Sequence, residues 1–176
     1  MGAAIQLRRE PLTALEHERA WKALCDDNSL DGIAYKFETD AWGAVRMSPT
    51  QARHSRIAGR AIRLLQAKLG GGEAMPELAI LTIDGIKVPD LCWCSPEFLA
   101  SKWSDVVLRH APEICVEIVS PSNTEGEMRA KTELYLNAGA VEVWLIAENG
   151  AVEVHATTGL RDDSVYGFSP ATELGL

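Results

Sequence analysis

The sequence lacks an apolar run long enough to cross a membrane. None of its 176 residues lies in an uninterrupted apolar stretch of the length, roughly 18 residues or more, that a transmembrane helix requires. The N-terminal residues also lack the charged and apolar regions of a secretory signal peptide. The sequence therefore predicts a soluble intracellular protein, and we expect it in the cytoplasm.

Cysteine is scarce, and its spacing does not match a metal or redox motif. Cys92-Trp93-Cys94 has one intervening residue, whereas a zinc knuckle or a redox pair has two. Together with Cys25 and Cys115, these cysteines fall within predicted helices or strands and not in a small, loop-rich scaffold. We therefore expect all four to be reduced core thiols, as in a cytosolic protein.

Basic residues are outnumbered by acidic ones. The 17 Lys and Arg residues face 25 Asp and Glu residues, which gives a net charge of −8 and a pI near 5.0. The surface as a whole will not attract nucleic acid. A polyanionic partner would have to be met by a local basic patch or by metal ions.

No repeat, linker or low-complexity segment divides the chain. Its 176 residues, 47% of them hydrophobic, are enough for one sizeable core. We predict one domain over residues 1–176, with a core from about residue 13 to residue 156. The predicted helices cover residues 13–25, 51–69, 98–103 and 122–138, and the predicted strands cover 33–38, 44–47, 78–83, 86–94, 114–119, 141–148 and 151–156. Asp84-Gly85 and Asn149-Gly150 are predicted two-residue hairpin turns.

Two charged residues occur where apolar residues are expected. Glu117 lies in a strand, residues 114–119, that is apolar on both faces and therefore predicted to be buried. Lys131 shares one face of the following helix with Met128 and Tyr135. A buried carboxylate and a buried ammonium each cost several kcal/mol, roughly, unless they are paired or bound to a metal. A structural ion pair explains the pattern as well as a catalytic site does.

A third charged residue, Asp90, lies in the strand predicted over residues 86–94. By the two-residue period it shares a face with Ile86, Val88, Cys92 and Cys94, and it is the only acid there. The adjacent proline, which cannot donate a ladder hydrogen bond, indicates a sheet edge or a bulge. Two carboxylates and an ammonium that converge are the groups used for metal-dependent phosphodiester hydrolysis, because carboxylate oxygens bind Mg²⁺ and a cation stabilises the transition state.

The helix predicted over residues 51–69 carries a stripe of arginines. Arg53, Arg56, Arg60 and Arg63 recur at intervals of three and four residues, with no acid among them. Such a stripe is either a solvated face or a phosphate-contacting strip for nucleic acid. His54 lies on the apolar side of the same helix, where a packed core histidine is the more common outcome.

The sequence resembles a known nuclease superfamily. Val88-Pro89-Asp90, followed after 26 residues by Glu117, resembles the bipartite signature of the PD-(D/E)XK, or restriction-endonuclease-like, nucleases. More closely, the chain is similar to the bacterial Uma-two family of restriction endonucleases. The matching motifs are Glu38 followed by residues 43–49, His54 at a helix start, and residues 88–93, 112–122 and 131–144.

The resemblance implies a fold and a set of site residues. The fold is α/β (α+β), with a central mixed sheet flanked by helices. Asp90, Glu117 and the backbone carbonyl of Ile118 are implied to hold Mg²⁺ or Mn²⁺, with Glu38 at the edge of the site. The signature lysine is absent two residues after Glu117, where Val119 stands, and the resemblance implies that Lys131 replaces it.

These residues are compatible with three alternative functions. The leading hypothesis is a Mg²⁺-dependent endonuclease that cleaves DNA, acting as a homodimer. The second is a catalytically degenerate nuclease fold that serves as a binding or assembly module, with Asp90, Lys131 and Glu117 as a structural network. The third is a metal-dependent hydrolase of a small phosphoester.

Overall fold

A six-stranded mixed sheet forms the centre of the structure, a computed structural model that describes residues 10–49 and 52–175. The helices are α1 (Ala14–Cys25), α2 (Ala52–Lys68), α3 (Pro96–Ser101), α4 (Glu125–Asn137) and α5 (Pro170–Glu173). The strands are β1 (Tyr35–Thr39), β2 (Val45–Pro49), β3 (Glu73–Pro76), β4 (Ile80–Thr82), β5 (Gly85–Lys87), β6 (Leu91–Cys94), β7 (Ile114–Val119), β8 (Glu142–Ala147), β9 (Val152–Ala156) and β10 (Gly159–Arg161). None of the helices in these two segments combines the length and apolar character needed to span a bilayer.

The order of the strands in the central sheet is β10-β9-β8-β7-β6-β3. Strands β7 and β8 pair in parallel and are connected by α4, whereas the other neighbours in this sheet are antiparallel. Parallel neighbours require a crossover connection, and α4 supplies it. This arrangement confirms the predicted fold class, a mixed sheet flanked by helices.

Each face of the sheet is covered by its own hydrophobic core. Residues Ile114, Val116 and Ile118 of β7 pack with apolar residues of α2, while Cys115 packs on the opposite face with residues of α4. Because side chains alternate along a strand, Glu117 points to the same face as Cys115, toward α4. The strand order thus places this carboxylate beneath the helix that carries the predicted lysine.

Two small hairpins, β1–β2 and β4–β5, lie outside the central sheet and pack against each other. Gly85 makes the close approach possible: its φ is +86°, and a Cβ there would overlap the backbone carbonyl of Asp40. The side-chain hydroxyl of Thr39 accepts the N–H of Ile86 at 2.9 Å. This contact brings the end of β1 beside β5.

The strand predicted over residues 86–94 is wrong as a single element, because it is divided between β5 and β6 at Val88-Pro89-Asp90. Proline lacks the N–H that a continuous ladder would need, so the chain leaves one sheet and enters another at this point. The predicted turn is also displaced by one residue. Gly85 pairs with Thr82, so the two turn residues are Ile83 and Asp84.

Other boundaries differ in smaller ways. The sequence did not predict β3, β10 or α5. The cap of α4 is Thr124, which forms a capping box with Glu127, and not the predicted Ser122 or Asn123. Cys25 is exposed at the end of α1, so the expectation that it is a core thiol is wrong. The predicted start of the second helix at residue 51 lies outside the described residues.

The segment after β10 is attached to the sheet by a second buried carboxylate. Glu142, at the start of β8, is fully buried, and its Oε1 accepts hydrogen bonds from Ser164 Oγ at 2.7 Å and Trp144 Nε1 at 2.8 Å. Its Oε2 accepts the N–H of Val165 at 2.9 Å. The ring of Phe168 adds an edge contact on Trp144, with centroids 5.8 Å apart.

We expect Glu142→Gln to lower the free energy of unfolding by about 1–3 kcal/mol, because the new amide NH₂ group would face one of three buried donors. Urea denaturation of the two proteins measures the difference. Glu133→Gln, on the exposed face of α4, is the matched control and should leave stability within about 0.5 kcal/mol of the wild type. Equal stability of the Glu142 variant would contradict the structural role of the carboxylate.

Candidate active site

Asp90 is held against β7 by its backbone and by its side chain. Its N–H donates to the carbonyl of Val116 at 2.9 Å, and its Oδ2 accepts the N–H of Ile118 at 2.7 Å. The carboxylate thus replaces the backbone carbonyl that would accept the next hydrogen bond of the β6–β7 ladder. Asp90 lies immediately before β6, and this pairing fixes its side chain beside the end of β7.

Glu117 lies in the middle of this arrangement and is only 3% exposed. Its Oε1 accepts hydrogen bonds from the hydroxyl of Tyr135 at 2.6 Å and the ammonium of Lys131 at 3.1 Å. Its Oε2 lies 3.6 Å from the ammonium of Lys36. Burial alone would raise the pKa of Glu117, but the charges of Lys131 and Lys36 and the hydroxyl of Tyr135 outweigh it and hold the pKa below its usual value.

Lys131 bridges two carboxylates from different parts of the chain. Its ammonium lies 2.8 Å from Glu38 Oε1 and 3.1 Å from Glu117 Oε1. Burial would lower the pKa of Lys131, but the negative charges of Glu117 and Glu38 raise it above the ordinary value. The lysine is therefore charged at neutral pH, and it occupies the position inferred from its helical face.

Glu38 is part of the same cluster. In addition to Lys131, its Oε1 accepts the N–H of Val88 at 3.0 Å, so the end of β1 is tied to the segment that precedes Asp90. The structure thus brings Glu38 next to Lys131 and Glu117. All four predicted side chains of the site meet in one place.

Two further side chains of the cluster were not singled out from the sequence. The ammonium of Lys36 lies 2.6 Å from Asp90 Oδ1, and its pKa is raised by Glu117 and Asp90 despite the opposing effect of burial. Tyr135 is fully buried, and burial, with the charge of Glu117, raises its pKa well above the ordinary value. Lys36 and Glu38 are two residues apart on one strand, and this spacing was the signal that could have identified the lysine.

A cavity of about 420 Å³ opens over the cluster. Lys36, Asp90, Glu117 and Lys131 line one part of it, and His54 and Ser120 line another. The cavity gives a ligand access to the carboxylates, which are otherwise buried between the sheet and the hairpins.

His54 is half-buried and lies at the wall of this cavity, whereas a packed core histidine was the more common outcome expected at its position. Its Nε2 is buried without a hydrogen-bond partner and lies 3.6 Å from Glu148 Oε1.

The arginine stripe of α2 does not line the cavity. Arg53 forms an ion pair with Glu148 at 2.9 Å, and Arg60 donates to the carbonyl of Gly175. Arg56 and Arg63 are exposed to solvent. The stripe is thus a surface beside the site, and two of its members already have protein partners.

The carboxylate oxygens are arranged in a way that suits a cation. Asp90 Oδ2 and Glu117 Oε1 are each held by protein donors, which leaves Asp90 Oδ1 and Glu117 Oε2 directed at one ammonium, that of Lys36. The carbonyl of Ile118 leaves β7 on the same side as its N–H, toward Asp90. These are hard oxygen donors of the kind that bind Mg²⁺, which often takes one or two carboxylates and completes its shell with water.

This donor set is a small one. The described segments contain no group of three or more His, Cys, Asp and Glu side chains arranged to hold a metal ion. A metal ion bound by Asp90 and Glu117 would therefore need backbone oxygens and water to complete its coordination.

Comparisons with known proteins concern the fold and the family of the chain. A search of curated proteins gave no significant match. Among solved structures, the chain is similar to one from Anabaena variabilis described as a putative nuclease belonging to DUF820, with a TM-score of 0.58 and 20% identity. The alignment covers 68% of this chain and 71% of that one. At this identity the similarity establishes the fold alone.

The family comparison is more specific. The model of the Uma2 family, described as "Putative restriction endonuclease", matches residues 31–171, which include every residue of the cluster. The match covers most of the chain, and the chain therefore belongs to the Uma2 family of restriction-endonuclease-like proteins.

Proposed function

We propose that the protein is a Mg²⁺-dependent endonuclease that hydrolyses phosphodiester bonds in DNA. The observation that carries the proposal is that Asp90 and Glu117 both direct an oxygen at one positive group, the ammonium of Lys36. The ammonium of Lys131 lies beside them in an open cavity. Membership of the Uma2 family supports the reaction class.

Each residue of the cluster has a distinct role in this proposal. Asp90, Glu117 and the carbonyl of Ile118 would hold the ion, which when bound polarises the phosphoryl group and lowers the pKa of a water molecule. Lys131 would place its positive charge against the phosphoryl oxygen as negative charge develops there. Glu38 orients Lys131, and Tyr135 fixes Oε1 of Glu117, which would leave Oε2 for the ion.

We also propose that the protein acts as a homodimer and is located in the cytoplasm. A symmetric dimer would present two sites of opposite orientation, as cleavage of both DNA strands requires. The four cysteines are free, which supports a reducing compartment.

A degenerate binding module is the second candidate. The observation that favours it is that each carboxylate of the cluster, Glu38, Asp90 and Glu117, already contacts a lysine. In that case the cluster would be a structural ion network, insensitive to divalent ions. The first two experiments below separate the candidates.

The first experiment measures metal binding by thermal denaturation. If Asp90 and Glu117 hold Mg²⁺ or Mn²⁺, the ion at tenfold excess over its Kd should stabilise the wild type by about 1.4 kcal/mol and raise its Tm by roughly 3–6 °C. Asp90→Asn should abolish the rise, while Asp162→Asn, an exposed control, should retain it. The same increase in wild type and Asp90→Asn would remove this aspartate from the metal site.

The second experiment removes the charge of Lys131. Lys131→Met keeps the apolar stem, and we expect DNA cleavage to fall by about 10²–10³-fold, the effect of removing one such group. Because Lys36 and Tyr135 still contact Glu117, the stability loss should stay below the roughly 3–5 kcal/mol of a buried charge left unpaired. A plasmid-nicking assay and a urea melt measure the two effects.

Lys22→Met, on the exposed surface of α1, is the control for Lys131→Met and should match the wild type in both assays. Nicking by Lys131→Met at the wild-type rate would contradict the catalytic role. A loss of stability beyond that range would assign the lysine to the structural network.

The third experiment tests the arginine stripe as a DNA-binding surface. Arg56 and Arg63 are exposed, so replacing both with Gln should weaken DNA binding for all sequences and make the slope of log K against log salt less steep by about 2. The control, Arg19→Gln with Arg129→Gln, changes the net charge equally on other helices. Equal affinity and slope for the two double variants would identify the stripe as a solvated face.

A further inference from the structure

Lys36 is the group that the proposed mechanism does not use. Its ammonium donates to Asp90 Oδ1 at 2.6 Å and forms an ion pair with Glu117 Oε2 at 3.6 Å, and the other described residues of the cluster bind the opposite oxygen of each carboxylate. The lysine thus stands where the two proposed metal ligands converge. A divalent ion bound by the same two oxygens would compete with it for this position.

The charges of the cluster favour exchange over joint occupancy. Three carboxylates, Glu38, Asp90 and Glu117, face two ammonium groups, so the cluster carries a net charge of −1. Adding a dication beside Lys36 would place like charges a few ångströms apart in a site of low dielectric, which is strongly unfavourable. Replacing the ammonium of Lys36 by one dication balances the three carboxylates, since Lys131 supplies the third positive charge.

The structure also offers the lysine a place to go. Lys36 lines the cavity, and so does Ser48, its partner across the β1–β2 hairpin. A lysine side chain has a flexible four-carbon stem, so bond rotations can turn the ammonium from the carboxylates into the cavity while β1 keeps its pairing with β2. The side chain is only 13% exposed when it bridges the carboxylates, and withdrawal would expose its amine.

We propose that Lys36 is an exchangeable counter-ion, which holds Asp90 and Glu117 together until one divalent ion takes its place and its ammonium withdraws into the cavity. Glu117 keeps Tyr135 and Lys131 as partners, and Asp90 keeps the N–H of Ile118, so both carboxylates stay in position during the exchange. This inference rests on the proposed metal-dependent function.

Amine labelling of the wild-type protein tests the exchange directly. With acetic anhydride and mass-spectrometric detection, saturating Mg²⁺ should raise the rate of Lys36 acetylation at least about fivefold, because the displaced amine loses both carboxylate partners. The exposed Lys102 is the internal reference and should react at the same rate with and without Mg²⁺. An unchanged or slower reaction at Lys36 while Mg²⁺ binds would overturn the exchange.

A second measurement uses Lys36→Met. Because the competing charge is gone, isothermal titration calorimetry should show Mn²⁺ binding at least about tenfold tighter than in the wild type, with one ion per chain. Lys102→Met should bind Mn²⁺ with wild-type affinity. Equal or weaker binding by Lys36→Met, or two ions per chain, would overturn the proposal.

Failure of this inference is distinguishable from failure of the proposed function. If wild type and Asp90→Asn respond identically to Mn²⁺, the metal site itself is wrong. The exchange alone is wrong if Mn²⁺ binding depends on Asp90 but two other results are negative. These are a Lys36 acetylation rate that Mg²⁺ leaves unchanged and a Mn²⁺ affinity that Lys36→Met leaves unchanged.

Discussion

The arrangement of the site depends on one buried carboxylate, that of Glu117 in the centre of the sheet. A carboxylate buried in β7 is tolerated only because other elements bring donors and positive charges to it. Helix α4 contributes Lys131 and Tyr135, and β1 contributes Lys36. The β7–α4–β8 crossover and the packing of the two small hairpins therefore surround Glu117 with the partners that it needs.

The same requirement links stability to chemistry. The pKa of Glu117 is lowered in the folded protein, so its charged form contributes stability above its unfolded pKa, and that contribution is lost as the pH falls. The lysines keep this carboxylate ionised, which is the form that the proposed metal site requires. Tyr135 differs from them because it is a neutral donor, and it positions Glu117 without adding a charge that would repel an ion.

Much of this site could be predicted from the sequence, and the reason is local periodicity. The alternation in β7 predicts that Glu117 is buried, and the helical spacing in α4 puts Lys131 on the packed face of that helix, whereas their proximity to each other was an inference. Glu38 and the carbonyl of Ile118 came only from the family resemblance, since neither stands out by pattern. The mixed central sheet likewise followed from the resemblance and was confirmed.

What the sequence did not reveal depends on contacts between distant segments. Lys36 alternates with Tyr35 and Phe37 on β1, as a lysine on the solvated face of a strand does, and only the tertiary structure places it beside Asp90, 54 residues away. The division of the strand over residues 86–94 has the same origin. Proline predicts an interruption, but only the tertiary structure shows that the chain then passes to a different sheet.

The charged cluster explains how a protein with an acidic composition could act on nucleic acid. With a net charge of −8, the chain as a whole repels DNA, so attraction must be confined to a small region. Around the cavity, Lys36 and Lys131 are held in place by the carboxylates, and a dication in place of Lys36 would free one ammonium toward the solvent side. In the proposed exchange, metal binding would therefore make the mouth of the cavity more positive, which would favour the entry of a phosphodiester group.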